Sequence, residues 1–171
     1  MFGLVLFGFY FVGLACYFWP EIGYDFGKGQ IRSISKIICL CPEISGFCLG
    51  IGNTIMFEMV YHTQPIAALF LCASGQGVLS FFSNSYSFTH HFFLFCYMAS
   101  LVYIVAQFCI ETQSLWVHAM PFYAFTILFG TTFLINVSLK IKYKSIQAIF
   151  ELYWMLSFVY FFSLIDKNLT T

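Results

Sequence analysis

The residues able to do chemistry in this chain are few, and they stand near the ends of long apolar runs. Phe88-Thr89-His90-His91 opens one such run, after a short polar hinge, Ser83-Asn84-Ser85-Tyr86-Ser87. An imidazole donates, accepts or titrates near neutral pH, which makes His91 the candidate general base. Glu43 and Glu151 are the candidate carboxylates to orient it, and Ser35 or Arg32 would hold a lipid phosphate. Such a set suits acyl transfer, which needs a base near a hydroxyl and donors aimed at a developing oxyanion. The plainer reading is that a histidine at a helix end anchors it at headgroup level, and no nucleophile elbow is visible. Arg32, Ser35, Lys36, Lys140 and Lys144 then serve as headgroup-binding residues that attract phosphate.

Composition says what must position these groups. Of 171 residues, 61% are hydrophobic and 8% charged, with a mean hydropathy of +0.87. That is too little polar surface to coat a globule, and apolar runs of about 18 residues or more are at home in lipid. The fold class expected is all-α, a polytopic membrane protein with a six-transmembrane-helix bundle as one domain over residues 1–171. The spans read as 2–19, 44–61, 65–82, 90–110, 115–138 and 146–165. The first lacks the basic start and small-residue cleavage site of a signal peptide. Pro42 and Pro65 mark helix starts, where proline's missing N–H had no intrahelical partner. Gly46, Gly50, Gly75 and Gly77 supply faces on which helices can approach closely, and the tail from Asp166 is too short for a domain.

The remaining counts exclude classes. A net charge of zero argues against nucleic acid. The seven cysteines lie mostly inside apolar runs, and Cys39-Leu40-Cys41 is not zinc spacing, so no metal and no cofactor are expected beyond a bound phospholipid. Glu151 is the sharpest clue, because an ionisable group near the start of a span is costly unless it pairs or reaches water. Lys144 lies two turns before it. Glu58 and His62 are one turn apart at the end of the second span, where a solvated carboxylate is the plainer reading. Six of the seven Lys and Arg residues fall between spans one and two or five and six, which by charge alone would put those loops in the cytosol.

Three blocks in register carry a resemblance. Phe82 to His91 with Ala99-Ser100-Leu101, Ser33-Ile34-Ser35 leading to Pro42-Glu43 and Phe47 to Gly52, and Gln147-Ala148-Ile149-Phe150-Glu151 together resemble the post-GPI attachment to proteins factor 2 family. Its wider superfamily includes the DRAM and SFK-type membrane proteins, whose pattern is similar at Ser35, Pro42, Glu43, His91, Tyr103 and Gln107. The resemblance implies six helices in the ER–Golgi system, cytosolic termini, a lumenal first loop, and a part in fatty-chain exchange on GPI anchors. That orientation is opposite to the one from charge and is the one adopted. The chain departs from the family in its trimmed loops, and Ser35-Lys36-Ile37-Ile38 replaces an acidic-glycine run. The departures point to an accessory factor handling membrane lipids. Alternatives are a small lipid-guiding or structural subunit of a larger membrane assembly, or a mitochondrially encoded subunit.

Overall fold

The structure, a computed structural model, describes residues 42–81, 87–139 and 145–169. These are all helical apart from short connections: α1 (Pro42–Tyr61), α2 (Pro65–Phe81), α3 (Phe88–Glu111), a 3-10 turn (Gln113–Leu115), α4 (Trp116–Leu139) and α5 (Ser145–Leu169). The stretch expected as the first span, 2–19, lies outside the described residues. So do Arg32, Ser35, Lys36, Lys140, Lys142 and Lys144.

Local chemistry sets the helix boundaries. Pro42 and Pro65 are the first residues of α1 and α2, positions where no helical N–H bond is forfeited. Gln64 bridges the two, its N–H donating to the Val60 carbonyl and its own carbonyl accepting from Ala68. Ser87 caps α3, its hydroxyl accepting from the His90 N–H at 3.1 Å, which satisfies one of four orphan donors at the helix start. At the other end the Thr112 N–H closes on the Phe108 carbonyl at 2.9 Å, and Leu115 returns to Thr112 at 3.0 Å. α5 runs on to Leu169, so Asp166 begins no tail. A helix leaving an apolar layer keeps its backbone bonds while its side chains turn polar.

α3, and the stretch Gln113–Ile135 that joins the 3-10 turn to most of α4, are long and apolar enough to cross a membrane. At 24 residues α3 is about 36 Å long, against a hydrocarbon layer of about 30 Å. α2 and the apolar part of α5, Ile149–Ile165, are shorter. Only 33% of the most apolar stretch of α3 and 17% of that in Gln113–Ile135 are buried. Ile66 and Phe88 are more than four-fifths exposed, at 84% and 83%. A helix apolar on every side needs either a protein or a lipid neighbour all round, and among the described residues these have protein on one side only.

Packing follows chain order. α1 lies along α2, α2 along α3, and α4 along α5, whereas the backbones of α3 and α4 approach at few places and leave a groove between them. One core nonetheless runs through all five, from Met56 and Val60 through Leu71, Leu101 and Phe108 to Phe122 and Phe162. The glycines divide into two groups. A methyl at Gly75 would lie 2.6 Å from Asn53 Oδ1, and one at Gly77 would overlap the Phe93 ring. Those two are the close approaches expected of membrane-helix glycines. Gly46 and Gly50 have open space where a methyl would go, so the contact expected there is not made within the described residues.

Most hydroxyls are spent on their own helices. Ser74 donates to Leu71, Ser100 to Cys96, Thr126 to Phe122 and Ser157 to Trp154, all through backbone carbonyls at 2.7–3.0 Å. This hides polar atoms in a medium that cannot solvate them.

Candidate functional site

Five antiparallel helices bring alternate ends together. The starts of α1, α3 and α5 and the finishes of α2 and α4 share one end of the bundle. Glu43 stands in the first turn of α1, though its side chain lies outside the described part. His90 and His91 stand in the first turn of α3, and Glu151 in the second turn of α5. The chain order alone therefore gathers three of the candidate residues at one end. Lys140, Lys142 and Lys144 stand between α4 and α5 in sequence and lie outside the described residues.

The two histidines do different work. His90 is 1% exposed, and its ring bonds to the backbone carbonyl of Val78. Val78 lies in the last turn of α2, where carbonyls have no intrahelical donor. His90 thus finishes α2 while its own N–H is capped by Ser87, which ties the α2–α3 hairpin at both strands of the connection. His91 turns the other way. Its ring meets Phe133 of α4 edge-on, centroids 5.1 Å apart and planes at 68°, and it lines a groove between α3 and α4.

That groove has a volume of about 340 Å³ and runs from His91 to Val102 along α3 and from Thr126 to Leu134 along α4. Its walls are apolar. The Thr126 hydroxyl donates to the Phe122 carbonyl at 2.7 Å, so the deep part presents no free donor. His91 is the polar group at its mouth. Gly130 lines it with open space at its Cα, so the wall is hollow there.

Glu151 is 5% exposed and is engaged rather than free. Its neighbours along α5, Tyr153 and Trp154, pack on Phe125 and Phe129 of α4 at centroid distances of 5.1 and 5.8 Å. Phe133, the partner of His91, is one turn beyond Phe129. Glu151 and His91 therefore lie within about two turns of each other in depth.

Two arrangements were not legible beforehand. Asn53, 5% exposed, reaches across from α1, its Nδ2 donating to the Cys72 carbonyl of α2 at 3.2 Å with its amide against Gly75. A lone Asn in an apolar run was the available signal for such a crossing contact. At the opposite end His118 Nδ1 and Tyr160 Oη lie 3.1 Å apart. They are 42 residues apart in sequence, and only the α4–α5 pairing joins them. Glu58 and His62 are both exposed at that opposite end.

Set against protein-family models, curated proteins and solved structures, the chain matches none.

Proposed function

We propose that this chain is a multi-pass membrane protein of six helices that handles lipid as an accessory factor, its polar helix ends meeting phospholipid headgroups at a single leaflet. The observation that carries this reading is the gathering of His91, Glu151 and the start of α1 at one end of a bundle whose flanks are otherwise apolar. Lys140, Lys142 and Lys144, which follow α4 directly, would add the positive charge that holds phosphate, each basic residue near a membrane surface contributing about 1 kcal/mol. Arg32, Ser35 and Lys36 precede α1 and belong to the same proposal. The resemblance of the hinge and helix-start motifs makes lipid maturation of GPI anchors in the ER–Golgi system the proposed setting.

An accessory role is favoured over acyl-transfer catalysis because the groove beside His91 holds a hydroxyl, Thr126, whose proton is already given to a backbone carbonyl. The alternative of a small subunit in a larger membrane assembly draws on α1. Its Gly46 and Gly50 are open, and the intervening Phe47 is 69% exposed, as a helix face awaiting a partner would be.

The test is native mass spectrometry of the chain purified from membranes. Anionic phospholipid should co-purify and be lost on joint replacement of Lys140, Lys142 and Lys144 by Gln. Release of the chain from membranes by alkaline carbonate, or lipid retention indifferent to the three lysines, would sink the reading. A stoichiometric protein partner would favour the subunit alternative.

A further inference from the structure

We infer that the groove between α3 and α4 is a slot for one acyl chain of a phospholipid, entered from the side, with the headgroup at His91. The inference rests on the membrane placement proposed above and specifies the ligand within it.

Three features fix the occupant. First, the length is right. The eleven steps from His91 to Val102 rise about 16 Å, close to half of a hydrocarbon layer of about 30 Å. The slot therefore spans one leaflet, the depth to which a single phospholipid chain descends. Second, the polarity is graded the same way as a phospholipid. The imidazole of His91, which both donates and accepts, stands about one turn from the start of α3, at headgroup level. Below it every lining group is apolar down to Thr126, whose hydroxyl is occupied by Phe122. A ligand with a second polar group further along would leave it unpaired in hydrocarbon.

Third, the α4 wall is hollow at Gly130, where nothing lies within 4 Å of an added Cβ. Gly130 is three residues, about one turn, from Phe133, so a chain descending from His91 passes it, and a flexible run of methylenes fits a groove of about 340 Å³.

Photolabelling tests this with the full chain in phosphatidylcholine vesicles. Two trace probes are used, each a phosphatidylcholine with a diazirine, either near the glycerol or at the chain terminus. The shallow probe should label the His91–Phe133 end, and the terminal probe the Val102–Thr126 end. Gly130→Leu, whose Cβ meets nothing within 4 Å, should fill the slot and lower both adducts by about tenfold, the factor that goes with roughly two buried methylenes. Ala99→Leu on the facing wall should do the same, and serves if Gly130→Leu fails to fold by circular dichroism. Gly46→Leu, of equal bulk on the open face of α1, should leave the adducts unchanged.

Labelling spread evenly over all outward faces, and indifferent to Gly130→Leu, would overturn the slot while leaving the membrane reading intact. Displacement of the phospholipid probes by unesterified fatty acid at equal concentration would overturn the choice of a phospholipid. Carbonate extraction of the same vesicles reports separately on whether the chain is embedded.

Discussion

Gly77→Ala and Gly46→Ala add the same methyl to neighbouring helices and should change stability in opposite directions. At Gly77 the methyl would overlap the Phe93 ring across the α2–α3 hairpin. Either Phe93 leaves its rotamer, at about 0.5–1.5 kcal/mol, or the hairpin opens and loses packing, and overpacking of this kind costs about 1–3 kcal/mol. Against this stands the gain of about 0.5–1 kcal/mol from replacing a helical Gly by Ala. The net expectation is a loss of about 1–2 kcal/mol. At Gly46 nothing lies within 4 Å of the added carbon, so only the gain applies. Reversible unfolding in mixed micelles, followed by circular dichroism as denaturing detergent is titrated in, measures both. Phe93→Leu, by taking the ring away, should recover about 1 kcal/mol of the Gly77→Ala loss as a coupling energy. The packing argument fails if Gly77→Ala proves as stable as Gly46→Ala, or if the coupling with Phe93 is zero.

Three further outcomes follow from contacts at the helix ends and crossings. Ser87→Ala should cost about 1 kcal/mol by removing the cap on His90, visible as faster amide hydrogen exchange confined to the first turn of α3. His90→Leu should cost about 1–3 kcal/mol, since the Val78 carbonyl is left buried without its donor, while His91→Leu should be near neutral in the same unfolding titration. Asn53→Ala should cost about 1–2 kcal/mol, combining a lost interhelical hydrogen bond with a small cavity. Equal effects of His90→Leu and His91→Leu would contradict the division of roles between the two rings.

What could be read from the sequence was where helices begin, because start chemistry is local. Pro42, Pro65 and Ser87 announce α1, α2 and α3 through the donors they lack or satisfy, and no distant residue is needed. What could not be read was which sides of those helices meet. Apolar periodicity normally marks a buried face, but here apolar residues surround each helix, so the pattern carries no direction. The His118–Tyr160 contact, the Asn53 crossing and the α3–α4 groove all depend on that missing direction. The paired histidines illustrate the boundary. Their position at a helix mouth followed from sequence, but neighbours on a helix face about 100° apart, and which one is buried was decided by α2 and α4. Gly46 and Gly50 carry a related lesson. Small residues permit a close approach without requiring one, and α2 makes its own at Gly75 and Gly77 instead.

The hydroxyls folded back onto their own helices have an electrical consequence. Ser74, Ser100, Thr126 and Ser157 each hold their proton on a local carbonyl, so among the described residues they form no relay along which protons or hydrated ions could hop between the two faces. Each of the four adds a second acceptor load to a carbonyl of its own helix instead of linking one helix to another.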